Sequence, residues 1–165
     1  MPLSNLLTTS CTRLDVEAGS KKRALEEAAR QLGACPSAPE PEQIFERLLE
    51  RERLGSTGLA NGVALPHARM GGIDRPYGVL LRLATPVDFD ALDGKPVDLV
   101  FALLVPEQAT DEHLNLLAAL AQLFADTALC EQLRRMQDPD KVAHLISPDS
   151  DAPQGQDSAS VRRPA

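Results

Sequence analysis

Two kinds of hydrophobic pattern alternate along the chain. Ala24, Leu25, Ala28, Ala29 and Leu32 recur at helical spacing between Ser20, whose hydroxyl suits an N-cap, and Gly33, a natural stop. They predict a helix from Ser20 to about Leu32. A Pro- and Ser-rich loop follows, and Pro41 suits the first turn of a second helix through Ile44, Phe45, Leu48 and Leu49, ending in Arg51, Glu52 and Arg53. Arg51 stands seven residues after Ile44 and three after Leu48, so it extends the buried stripe, while Arg53 follows Leu49 at four. Either could point inward, or both could simply complement the helix dipole.

The pattern then changes period. Residues 63–65 predict a short strand, 70–76 a loop, and 77–84 a segment rich in strand formers that Pro86 should stop. Residues 97–105 are almost wholly apolar between Pro96 and Pro106, as in a central strand covered on both faces. Asp93-Gly94 between them marks a turn and makes a hairpin of the pair. Thr110 or Asp111 caps a helix holding Leu114, Leu116, Leu117, Leu120, Leu123 and Phe124, apolar nearly all round and so expected to be buried, with His113 in its first turn. Asp126 caps a further helix with Leu129, Leu133 and Met136. Asp138-Pro139 opens a last one with Val142, Leu145 and Ile146, where His144 reads as structural.

At the ends, residues 3–7 form a short segment, 11–16 an edge strand or extended lead-in, and 147–165 a disordered tail of Pro, Ser, Asp, Gln and Gly. Strands interleaved with helices predict one α/β domain over residues 1–146, a small mixed β-sheet flanked by α-helices.

Composition narrows the partners. A formal net charge of -7 argues against nucleic acid or an anionic membrane surface, and an aromatic content of 3% leaves few stacking platforms for bases or sugars. Cys11, Cys35 and Cys130 are odd in number and lack CxxC spacing, which suits reduced thiols in the cytoplasm. The start of the chain has no signal-peptide pattern, and no apolar run is long enough to span a bilayer.

Chemistry concentrates where a glycine-rich stretch, Gly55-Ser56-Thr57-Gly58-Leu59-Ala60-Asn61-Gly62, leads through Val63-Ala64-Leu65-Pro66 to His67. On residue type alone, His67 is as readily an ordinary loop histidine as a functional one, and His113 a capping-region residue with a satisfied ring. Together they make a phosphoryl site conceivable. His67 offers a nucleophilic nitrogen, Ser56, Thr57, Asn61 and the glycine N–H groups offer donors, and Arg51 offers a fork-shaped cation. His113, beside the positive end of its helix, would stay neutral and donate one hydrogen bond. A Walker A loop would need a lysine, a serine elbow G-x-S-x-G, and a zinc site more ligands than these histidines provide.

Arg51-Glu52-Arg53-Leu54-Gly55-Ser56-Thr57-Gly58, followed by Asn61-Gly62-Val63-Ala64-Leu65-Pro66-His67, resembles the IIA proteins of the bacterial phosphotransferase system, fructose/mannitol class. Within the class it is most similar to the nitrogen-regulatory branch. Ser20-Lys21-Lys22-Arg23-Ala24-Leu25, the segments 87–94 and 96–106, and His113-Leu114 extend the likeness over roughly residues 3–146. Where relatives often carry Gly-Lys after the histidine, this chain has Ala68-Arg69, which keeps the charge.

The resemblance implies a IIA fructose/mannitol-type fold and a phosphocarrier that needs no cofactor or metal. His67 would accept a phosphoryl group from the phosphohistidine of an HPr-like protein, flanked by Arg51, now distinguished from Arg53, and by His113. It also implies regulatory targets such as sensor kinases or potassium transporters. Two other outputs stay open: a sugar-transport IIA that passes the group to a IIB partner, and a binding module never phosphorylated in the cell.

Overall fold

The computed structural model describes residues 11–108 and 110–146; the segment expected at residues 3–7 and the tail from Ser147 lie outside them. In chain order the elements are β1 (Cys11–Val16), α1 (Lys21–Gly33), α2 (Pro41–Leu54), β2 (Val63–Ala64), β3 (His67–Met70), β4 (Tyr77–Val87), β5 (Val97–Pro106), α3 (Thr110–Phe124), α4 (Thr127–Arg135) and α5 (Pro139–Ile146). Three helix starts are those the sequence suggests. Ser20 Oγ accepts the Arg23 N–H at 3.2 Å, Pro41 opens α2, and Asp126 accepts the Ala128 and Leu129 N–H groups at 3.0 and 3.2 Å.

The five-stranded sheet has the order β1-β4-β5-β2, with β3 also on β5. β4 and β5 form the expected antiparallel hairpin, with Tyr77 opposite Leu104 and Val87 opposite Val97, and Gly94 takes φ 74 in its turn. β1 lies parallel to β4 at the edge. Pro86 does not end β4 as expected. The strand continues to Val87 because the pairing with β5 shifts between Arg82 and Val87, where a residue without an N–H is tolerated.

Alternate residues of the buried strands feed two cores. Leu81, Val100, Ala102 and Leu104 pack with Ala24, Leu25, Leu32, Ile44 and Leu48 of α1 and α2. Leu80, Leu99, Phe101 and Leu103 pack with Leu116, Leu120, Phe124, Leu133 and Ile146 of α3, α4 and α5. The sheet is therefore the middle of three layers.

Two expectations need correction. α3 buries one face only: Leu116, Leu120 and Phe124 are covered, but Leu114 is 64% exposed. At the end of α2, the next position of the Ile44–Leu48 stripe is held by buried Glu52, while Arg51 is half-buried and Arg53 exposed. The step of four from Leu48 places Glu52 inward.

β3 was not expected as a strand. Both β2 and β3 run parallel to β5 with one common offset, Val63 opposite Leu99 and His67 opposite Leu103. They form one line of chain interrupted at Leu65-Pro66.

Arg82 is the charged residue inside β4, only 7% exposed. Its guanidinium donates to the carbonyls of Leu133 (3.0 Å), Arg134 (3.2 Å) and Met136, closing the C-terminal end of α4, and reaches Asp15 at 3.4 Å. A cation there satisfies carbonyls that have no intrahelical partner. Arg82→Leu strands those acceptors in an apolar layer and should lower stability by roughly 2–4 kcal/mol, measured by urea unfolding.

Candidate functional site

The interruption at Leu65-Pro66 builds the site. Pro66 has no N–H to give to β5, and Leu65, facing away from β5, donates its N–H to the Thr57 carbonyl at 3.0 Å beside the Gly58–Ala64 bridge. The Leu65 carbonyl accepts from His67 Nδ1 at 2.8 Å. A carbonyl can only accept, so the proton sits on Nδ1 and the lone pair on Nε2. Ala68 and Met70 of β3 belong to the α1/α2 core, which puts His67 and Arg69 on the opposite face, toward α3.

There His67 meets His113 of α3, with ring centroids 5.4 Å apart and planes inclined by 60°. Both line a cleft of about 850 Å³ that also carries Arg47, Arg51, Arg53 and Leu54 from α2, Arg69, and Leu114. Leu54 is 84% exposed. Glu50 and Glu107 are the acidic lining residues, so arginines predominate in a chain whose net charge is -7. Arg51 itself donates to the Gly55 carbonyl at 3.0 Å, which fixes the guanidinium at the helix end.

Desolvation is the main cause that lowers the His67 pKa; the Leu65 carbonyl opposes it, Arg51 adds to it and Glu52 counters. His113 is also lowered, chiefly by desolvation and then by His67, Arg69 and Arg51. Both rings are thereby held neutral at pH 7. His113 Nδ1 is buried and has no hydrogen-bond partner among the described residues, unlike the satisfied ring its capping position suggested. A neutral nucleophilic nitrogen beside a fixed cation, in a cleft rich in guanidinium groups, suits attack on an anionic, phosphoryl-like group.

Of the six residues singled out from sequence, the structure brings His67, His113 and Arg51 together and places Ser56, Thr57 and Asn61 elsewhere. The Ser56 hydroxyl donates to the Phe89 carbonyl and accepts the Gly58 N–H at 3.0 Å. Thr57, buried, gives its hydroxyl and its N–H to the Glu52 carboxylate at 2.6 and 2.9 Å. Asn61 adopts φ 64; its N–H donates to Asp93 at 3.1 Å and its carbonyl accepts from Arg134. None of the three lines the cleft. Their polar groups brace the glycine-rich loop instead.

Gly62 follows at φ 77, where a Cβ would come within 2.5 Å of an Arg134 guanidinium nitrogen already tied to Asp98 at 3.0 Å. Reading by residue type passed over Glu52, although its i+4 step from Leu48 marks it, and over the exposed Leu114.

Among the described residues, no group of three or more His, Cys, Asp or Glu side chains converges as metal ligands would, and no single helix is long and apolar enough to cross a membrane. In an NMR pH titration, the His67 ring should titrate below the ordinary histidine value of about 6.5. Arg51→Gln, by removing a cation that disfavours the imidazolium, should move that midpoint upward.

Comparisons with known proteins bear on the family and the fold. The family model described as "Phosphoenolpyruvate-dependent sugar phosphotransferase system, EIIA 2" matches residues 5–148. A nitrogen regulatory protein of Pseudomonas aeruginosa is 47% identical over 144 residues, 87% of this chain and 94% of the relative. The crystal structure of nitrogen regulatory protein IIA-Ntr from Neisseria meningitidis superposes with a TM-score of 0.81 at 43% identity, covering 88% of this chain and 99% of that one. IIA mannitol from Escherichia coli shares the fold, with a TM-score of 0.69 at 24% identity over 89% and 99% of the two chains. The chain belongs to the EIIA 2 family of the phosphoenolpyruvate-dependent sugar phosphotransferase system, the family that holds the nitrogen regulatory IIA proteins it resembles in sequence and in fold.

Proposed function

We propose that the chain is a nitrogen-branch phosphocarrier: His67 accepts a phosphoryl group from the phosphohistidine of an HPr-like protein, and the phosphorylation state then governs contacts with regulatory partners. The observation that carries this reading is the His67 ring, held neutral with its proton on Nδ1 and its Nε2 lone pair free beside Arg51 and His113. The names of the relatives, nitrogen regulatory proteins, favour a regulatory output over sugar uptake.

In the transfer, Nε2 forms the new P–N bond while the donor's P–N bond breaks and its electron pair returns to the donor imidazole. Positive charge then develops on the His67 ring. The Leu65 carbonyl, hydrogen-bonded at Nδ1, stabilises it. The Arg51 guanidinium meets the charge on the phosphoryl oxygens, and His113, whose Nδ1 is buried, serves them through Nε2. Ser56, Thr57 and Asn61 contribute by holding the loop. Exposed Leu54 and Leu114, with the surrounding arginines, supply the surface on which a carrier docks.

His67→Ala should abolish phosphorylation by the cognate carrier, read by a phosphohistidine-sensitive gel shift; a variant that is still modified would sink the assignment. Leu114→Ser, which removes the apolar contact without adding charge to the cleft, should slow acceptance from the carrier by roughly 10-fold and change acceptance from phosphoramidate far less, since only the protein donor needs the docking surface.

A further inference from the structure

We infer that Glu52 is a positioning residue for His67, acting through Thr57 and Leu65 rather than by contact with the phosphoryl group. The inference deepens the proposed phosphocarrier reading and rests on it for the reaction that is being positioned. Glu52 is 7% exposed at the end of α2, and its carboxylate is saturated by donors that all belong to the loop or to α1. One oxygen takes the Thr57 hydroxyl at 2.6 Å; the other takes the Thr57 N–H at 2.9 Å and lies 3.1 Å from Lys21 Nζ. Lys21 is itself held, 3.5 Å from Asp90 and over the Phe89 ring at 5.5 Å.

From there the hydrogen bonds form one continuous line. The Thr57 carbonyl accepts the Leu65 N–H at 3.0 Å, and the Leu65 carbonyl accepts His67 Nδ1–H at 2.8 Å. The direction of the Leu65 carbonyl decides which ring nitrogen carries the proton, because turning it away removes the acceptor that favours Nδ1–H. Leu65 faces away from β5, so the bond from its N–H to Thr57 on one side and the stiffness of Pro66 on the other hold its carbonyl in place. Glu52 fixes Thr57 at two points from inside the core, where a buried charged acceptor is costly to leave unpaired. Its carboxylate also favours the imidazolium form of His67, offsetting Arg51 as positive charge develops on the ring.

The test compares Glu52→Gln, Thr57→Val and Thr57→Ser with the wild-type chain. Urea unfolding first establishes that each is folded, and two readouts follow. Imidazole nitrogen chemical shifts give the His67 tautomer without any donor, and phosphoryl acceptance from the cognate carrier gives the rate. The wild-type ring should be the Nδ1–H tautomer. Glu52→Gln should populate the Nε2–H tautomer and slow acceptance by roughly 10- to 100-fold. Thr57→Val should shift both in the same direction by less, and Thr57→Ser, which keeps the hydroxyl, should recover both. If Glu52→Gln does not fold, the two Thr57 variants decide.

A folded Glu52→Gln with the wild-type tautomer, whatever its rate, overturns the inference, as does a changed tautomer at the wild-type rate. A wild-type chain that accepts no phosphoryl group would overturn the phosphocarrier reading instead, and the tautomer measurement would still decide whether Glu52 orients the ring.

Discussion

The site depends on one residue, Leu65, whose N–H and C=O both face away from the central strand β5. Between β2 and β3 the chain keeps its register along β5, where the Gly62 and Pro66 carbonyls accept β5 N–H groups and Leu65 between them faces the other way. Pro66 removes a donor at this point, and Leu65 gives its N–H to Thr57 and its C=O to the His67 ring. The interruption spends little pairing, because Pro66 still accepts the Leu103 N–H at 2.9 Å.

A rigid frame is needed to hold that peptide. The glycine-rich loop is fastened on every side, by Glu52 through Thr57, by the Phe89 carbonyl through Ser56, by Asp93 through Asn61, and by Arg134 through the Asn61 carbonyl. Arg134 is itself paired with Asp98 at 2.9 Å, so α4 and the start of β5 both bear on the loop. With Arg82 closing the end of the same helix, two arginines tie the α4 layer to the sheet.

The parts of this arrangement legible in the sequence are those set by local chemistry. Ser20, Pro41, Asp126 and Asp93-Gly94 act through their own backbone neighbours, and the apolar run of β5 needs no knowledge of its partners to read as central. β3 was missed because His67-Ala68-Arg69-Met70 takes its pairing from β5, and its polar–apolar alternation spans only four residues, too few to mark a strand without that partner. The hydroxyls of Ser56 and Thr57 looked like ligand donors because residue type does not tell which way a side chain faces. Arg51 and Glu52 exchanged places for a plainer reason: steps of three and seven were preferred to the step of four that the stripe follows. Leu114, counted toward a buried helix, stands 64% exposed because the described elements cover only the opposite face of α3.

Charge completes the logic of the proposed phosphocarrier. The cleft gathers Arg47, Arg51, Arg53 and Arg69 against Glu50 and Glu107, an excess of two cations on a chain of net charge -7. A phosphoryl group brings roughly one and a half to two negative charges at neutral pH. Added to His67, it would nearly cancel the local excess and leave the acidic remainder of the surface uninterrupted. The change is confined to the cleft, but it removes the positive field a partner meets at contact, where screening is weakest. A phosphorylation signal of this kind needs no rearrangement of the fold, which suits a loop so thoroughly braced.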